Sequence, residues 1–158
     1  MRFILSILYI AVLGILSHCI GEALPRRWFD PDRGIYAPRS WEKGGRIYHR
    51  LKVQRWKDFL PDMSKVMPDM VRKGISMTDG SSAVARVAVE TCVAEAVHWV
   101  LFFLSGGIYL ILPTGLGMAV TIIYALSHIP FIIIQRYNRP TLSLLAKRLK
   151  QREERIHK

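Results

Sequence analysis

Two blocks of the chain, residues 3–20 and 100–134, hold no Lys, Arg, Asp or Glu, and nearly all charge lies between them or after the second. The first block is eighteen mostly apolar positions behind Arg2, close to the roughly 20 that cross about 30 Å of hydrocarbon. The second runs thirty-five residues, on the order of 50 Å as one straight helix, which is more than one crossing can use. Gly106-Gly107 and Pro113-Thr114-Gly115 interrupt it. The pattern therefore predicts crossings at about 97–112 and 117–134, joined by an uncharged turn near 112–116. The expected fold class is an all-α integral membrane protein with about three transmembrane helices plus basic amphipathic interfacial helices. It reads as a single membrane domain in four stretches: an anchor at 1–22, a basic cytosolic or interfacial segment at 23–82, a helix leading into a transmembrane hairpin at 83–134, and a basic amphipathic tail at 135–158.

The polar stretches have their own patterns. Pro25, Asp30-Pro31, Ala37-Pro38 and Gly44-Gly45 break the first into turns, where Trp28, Phe29, Tyr36, Trp41 and Tyr48 alternate with Arg and Lys. That mixture suits the headgroup layer, because Trp and Tyr rest at the interface and cations meet lipid phosphates. Residues 48–60 read as an amphipathic helix, with Leu51, Trp56, Phe59 and Leu60 opposite Arg50, Lys52, Arg55 and Lys57. From 82 to 99 the helical period returns without a breaker, so this helix runs straight into the second crossing. In the tail, Leu142, Leu145 and Leu149 share one side, which predicts a helix lying on the membrane surface.

Composition sharpens this picture. A chain 51% hydrophobic with a net charge of +11 is not a soluble globule. Fourteen Lys and Arg fall in 21–96 and eight in 135–158, against one at the N-terminus and none in the hairpin turn. The positive-inside rule then places the N-terminus outside and the C-terminus in the cytoplasm of a multi-pass cell-membrane protein. Ser17-His18-Cys19-Ile20 lacks the small residues that a signal or lipoprotein peptidase wants, and export would carry fourteen cations outward. A nucleic-acid role is set aside for want of a recognition motif. Cys19 and Cys92 carry no disulfide expectation.

The chemistry sits at the ends of the apolar runs. Glu95, His98 and Trp99 are three and four apart on one helix face. A carboxylate beside an imidazole can orient the ring, fix its tautomer and raise its basicity, as a general base for a hydroxyl proton requires. Arg136, Tyr137, Asn138 and Arg139 follow the third crossing directly. Arginines there serve equally as topology anchors or as a bidentate phosphate clamp, with Asn138 adding a donor and an acceptor. His128 lies inside a crossing, and packing against Tyr124 or other helices is its expected role. Glu95-x-x-His98 and Glu154-x-x-His157 resemble half of a di-iron set, but the two further glutamates are missing from the apolar crossings, so no metal or cofactor is expected.

The element Ala94-Glu95-x-x-His98-Trp99, the pair Tyr124-Ala125, the string Gln135-Arg136-Tyr137-Asn138-Arg139-Pro140 and the basic tail with Glu154-Arg155 resemble the glycosyl-4,4'-diaponeurosporenoate acyltransferase family. Trp41-Glu42-Lys43-x-Gly45 and Arg55-Trp56-Lys57 are similar to the same family's cytosolic segment, so the likeness covers most of residues 25–158. The chain departs from the pattern in the Gly-rich link between its last two crossings and at His128, to which no role is carried. The resemblance implies a small membrane enzyme that esterifies a sugar hydroxyl of a glycosylated carotenoid acid or related glycolipid with a fatty acyl group, in staphyloxanthin-type pigment synthesis. Its partners would be membrane lipid, that acceptor, and acyl-CoA or another acyl carrier. Within that reading His98 is the base, Glu95 its orienter, Asn138 or Tyr137 the oxyanion donor, and Arg136, Arg139 and Trp99 bind substrate, the arginines on the carrier's phosphates. The alternative function is a non-enzymatic membrane adaptor that binds anionic lipid or a protein partner through its cationic segments.

Overall fold

A computed structural model describes residues 1–60 and 80–156. Its elements are helices throughout: α1 (Arg2–Ala23), α2 (Arg46–Arg50), α3 (Val53–Trp56), α4 (Ser81–Leu104), α5 (Gly106–Ile111) and α6 (Gly115–Ile156), with short 3₁₀ turns at Arg26–Trp28, Ser40–Gly45 and Lys57–Phe59. No strand occurs among the described residues. Three helical stretches, Arg2–Ala23, Ser81–Ile111 and Gly115–Ile156, are long and apolar enough to cross a membrane. The chain divides into two compact units, Met1–Pro25 with Val93–Ile132, and Arg26–Cys92 with Ile133–Lys158.

In the first unit, α1 keeps the hydroxyls of Ser6 and Ser17 on its own carbonyls, Arg2 O at 3.1 Å and Gly14 O at 2.9 Å, so neither is left bare in an apolar helix. It ends at Leu24, whose extended backbone (φ −62°, ψ 129°) is the conformation a residue before proline prefers. The expected punctuation at Gly106-Gly107 is the break between α4 and α5. There Ile108 N–H turns back to Ser105 O, and the Leu104 carbonyl, at the end of α4, accepts a 2.8 Å hydrogen bond from the Tyr9 hydroxyl. That contact needs Gly107, because a Cβ would collide with the Tyr9 ring and hydroxyl. Leu112, non-helical before Pro113 (φ −123°, ψ 75°), closes α5, and Thr114 caps α6 by accepting the Gly117 N–H at 3.1 Å. A Cβ on Gly117 would run into the Leu112 carbonyl, so the hairpin turn depends on this glycine.

The second unit differs from expectation in two places. Residues 48–60 do not make one amphipathic helix: Lys52 takes a left-handed backbone (φ 52°) and separates α2 from α3, and a 3₁₀ turn follows. Helical periodicity in a thirteen-residue window was therefore cut by one residue. The tail is not a helix of its own either. α6 continues through Pro130 and Pro140 as one helix of 42 residues. Its leucine side packs inward: Leu142 and Ala146 join Val84, Val87 and Ala88 of α4 in a buried cluster flanked by Leu145 and Leu149. An apolar stripe reveals that a face is covered, not by what. The start of α4 is fastened to the same helix, since Ser81 donates its backbone N–H and hydroxyl to the two Glu153 oxygens at 2.8 and 2.6 Å. That carboxylate meets a helix N-terminus, where negative charge is favoured.

Candidate active site

In the second unit the stretch 35–42 has little regular structure, so its carbonyls need donors from elsewhere. Two arginines one turn apart on α6 supply them. Arg136 places Nε on Glu42 Oε1 at 2.6 Å, Nη1 on Ile35 O at 3.1 Å and Nη2 on Ala37 O at 3.3 Å, with Nη2 also 2.6 Å from Glu42 Oε1. Arg139 places Nη1 on Tyr36 O at 2.9 Å, Nε on Thr91 Oγ1 at 2.9 Å and Nη2 on Thr91 O at 3.1 Å. Each guanidinium also lies over an aromatic ring, Arg136 over Trp41 at 5.7 Å and Arg139 over Tyr36 at 5.3 Å.

Glu42 is the acceptor at the middle of this arrangement. It is 3% exposed. Beyond Arg136, its Oε1 accepts the Tyr48 hydroxyl at 2.9 Å and its Oε2 accepts the Arg39 N–H at 3.1 Å. Burial first, and then the neighbouring carboxylate, push the Tyr48 phenol well above its ordinary range, with the Arg136 charge opposing. Tyr137 presents its ring edge-on to Tyr48 (6.1 Å, 76°) and carries Lys57 Nζ at 5.5 Å from its centroid, while Asn138 is half-buried beside it on α6. Tyr36, Pro38, Glu42, Arg136, Arg139 and Pro140 border one shallow recess. The two guanidiniums expected on a carrier's phosphates are thus engaged by the chain's own oxygens. Arg26 and Glu90 form a further two-pronged pair at 2.9 and 3.0 Å.

The first unit holds Glu95, His98 and Trp99. Glu95 is 4% exposed. Trp99 is exposed and stacks on Phe103 (6.0 Å, 23°). His98 is half-buried, its ring stacked on Phe131 at 4.7 Å and 13°. Its Nδ1 stands 3.3 Å from Nδ1 of His128, which is buried and meets Tyr124 edge-on at 4.8 Å. The histidine to which no role was carried is therefore a hydrogen-bonding neighbour of the proposed base. Among the described residues, no group of three or more His, Cys, Asp or Glu side chains is arranged to hold a metal. His157, half of one metal-like pair, lies outside the described residues.

Comparison with known proteins bears on residues from both units. The family model for glycosyl-4,4'-diaponeurosporenoate acyltransferase matches residues 25–148. A glycosyl-4,4'-diaponeurosporenoate acyltransferase of Staphylococcus aureus (strain bovine RF122 / ET3-1) is 30% identical over 143 residues, covering 86% of this chain and 82% of the relative. The protein of the same name from strain N315 is 29% identical over the same length and shares. The chain belongs to this acyltransferase family. The matched stretch takes in Glu42, Tyr48, Glu95, His98, Arg136 and Arg139, so the resemblance read from the motifs extends over the segment that the arginines hold. No solved structure is a significant match. Sequence reasoning missed Glu42, Tyr48 and Thr91 as members of these clusters; for His128 it gave the packing against Tyr124 and missed the contact with His98. For Glu42 a signal was present: it is a lone acid in a run of cations, between Arg39 and Lys43.

Proposed function

We propose that the protein esterifies a sugar hydroxyl of a glycosylated carotenoid acid, or a closely related glycolipid, with a fatty acyl group drawn from a thioester such as acyl-CoA. The observation that carries this is the family match over residues 25–148, within which a half-buried imidazole, His98, is held by ring partners on an apolar helix. His98 takes the hydroxyl proton and returns it to the departing carrier, while the acyl carbon exchanges its bond to the carrier for a bond to the sugar oxygen. No acyl-enzyme is required by this chemistry. Glu95, buried on the same helix, is assigned to supporting the base, and Trp99 to apolar contact with substrate.

Arg136 and Arg139 are assigned a different part from direct contact with a carrier phosphate. Their donors hold the 35–42 segment by its carbonyls and by Glu42, and so act as positioning residues. Tyr137 and Asn138, on the same helix, are assigned to polar groups of the substrate. The expected topology has three crossings, the N-terminus outside and both basic segments in the cytosol, where soluble acyl carriers are available; charge asymmetry supports it.

The test is lipid and pigment profiling of cells with and without the gene, paired with a His98→Ala variant that still inserts into the membrane. Loss of one acyl ester in both the deletion and the variant is expected. Unchanged turnover by purified His98→Ala protein removes His98 from the mechanism, and an unchanged ester profile in the deletion removes the reaction.

A further inference from the structure

Two imidazoles meet in the first unit through the same kind of atom. Nδ1 of His98 and Nδ1 of His128 are 3.3 Å apart, with ring centroids at 5.5 Å and planes inclined by 40°. A neutral imidazole has one N–H and one lone pair, so a hydrogen bond between these nitrogens exists only when one of them carries a proton and the other does not. The contact therefore couples the tautomers of the two rings. With the proton on His98 Nδ1, the lone pair of His98 is on Nε2. With the proton on His128, His98 Nε2 is a donor and cannot act as a base.

Both rings are held against reorientation. Phe131 lies parallel to His98, and Tyr124 stands edge-on to His128. His128 is 7% exposed, and its Nε2 has no hydrogen-bond partner among the described residues. The buried member of the pair is thus unsuited to meeting substrate, while the half-buried member is the one assigned to chemistry. Among the described residues no group of three or more His, Cys, Asp or Glu side chains is arranged to hold a metal, so the close approach is read as a shared proton.

We infer that His128 is a positioning residue for the acyl transfer: its Nδ1 accepts the His98 Nδ1–H and thereby keeps His98 in the tautomer whose Nε2 can take a hydroxyl proton. This rests on the reading of His98 as the base. When the sugar hydroxyl gives its proton to His98 Nε2, the ring becomes an imidazolium whose Nδ1–H still points at His128 Nδ1, so the positive charge forms against a waiting acceptor. When the thioester C–S bond breaks, the same proton leaves Nε2 for the thiolate, and the dyad returns to its starting state.

The experiment uses the full chain in detergent or nanodiscs, with glycosyl-4,4'-diaponeurosporenoate and palmitoyl-CoA as probes. Two variants separate hydrogen bonding from packing. His128→Phe keeps an aromatic ring and removes the acceptor. His128→Asn gives up ring volume and keeps an acceptor near the Nδ1 position. The inference expects kcat to fall by about 10- to 100-fold in His128→Phe, by analogy with the range for loss of the partner that orients a metal-bound histidine, with KM little changed and His128→Asn closer to the parent. An active His128→Phe with an inactive His128→Asn is the signature of packing alone and overturns the inference. His98→Ala distinguishes the two levels: its retained turnover sinks the base assignment, whereas an inactive His98→Ala beside a fully active His128→Phe sinks only the role of His128. Should either His128 variant fail to insert, ¹⁵N-histidine spectra of the parent protein decide. A protonated Nδ1 and bare Nε2 on His98 support the inference, and a protonated Nε2 overturns it.

Discussion

Replacing Glu42 by Ala tests whether the buried carboxylate is what holds the 35–42 segment to α6. Its side chain is 3% exposed and that of Arg136 is 11% exposed, so the pair is shielded from solvent rather than screened by it. Removing one member of a buried ion pair costs about 3–5 kcal/mol, because the remaining charge loses its partner while staying out of water. The Tyr48 hydroxyl and the Arg39 N–H lose an acceptor in the same change. For a domain of this size, about 2–4 °C of melting temperature follows each kcal/mol, which sets the expected drop at roughly 6–20 °C in detergent. Glu42→Gln should cost less, since one oxygen survives to accept from Arg136 or Tyr48. The double variant Glu42→Leu with Arg136→Met should lose clearly less than the sum of Glu42→Leu and Arg136→Met measured singly, because no buried charge is then left behind. The assay is scanning fluorimetry of the five variants and the parent, with membrane insertion checked first. A Glu42→Ala melting point within about a degree of the parent, or additive effects in the double variant, refutes the reasoning.

Alkaline stability carries the Tyr48 signature: the folded phenol titrates above its ordinary value of about 10, so the folded state binds more protons than the unfolded one from that point upward. Stability from this group is fully present below pH 10 and declines as pH rises beyond it; Tyr48→Phe should flatten that decline while costing about 1 kcal/mol at neutral pH, as read by unfolding at stepped pH. Gly107→Ala should cost about 1–3 kcal/mol, because the added methyl meets Tyr9. Tyr9→Phe should cost about 1 kcal/mol by leaving the Leu104 carbonyl unpaired, and a Gly107→Ala protein as stable as the parent in a melting experiment would show that α1 and α5 do not approach this closely.

The three long helices were legible because uncharged blocks and chain breakers are local signals. Gly106-Gly107 and Pro113 stand where the structure turns at Ser105 and at Leu112. Pro140 does not break the chain in the same way: α6 passes through it, since one missing N–H does not end a helix held on several sides. The partners of the polar residues were not legible. Glu42 meets Arg136 across 94 positions and His98 meets His128 across 30, distances at which no helical spacing applies. Spacing on α4 places Glu95 and His98 on one face, whereas the His128 contact was set by packing of α4 against α6, which no spacing reveals.

The identity of the two arginines follows from the segment they hold. Residues 35–37 offer three carbonyls in a row with no helix or strand to use them, and the two arginines donate to all three. Lysine at 136 could deliver its charge to Glu42, but its donors radiate from one atom. The Arg136 fork reaches Glu42, Ile35 and Ala37 together because its nitrogens are spread across a plane. Arg139 repeats the device one turn later, joining Tyr36 to Thr91 of α4. A family motif with two arginines separated by two residues therefore need not advertise a phosphate. Here the spacing places two guanidiniums on one helix face against a strip of backbone outside any helix, which gives arginine at both positions of this chain a structural cause before any substrate is present.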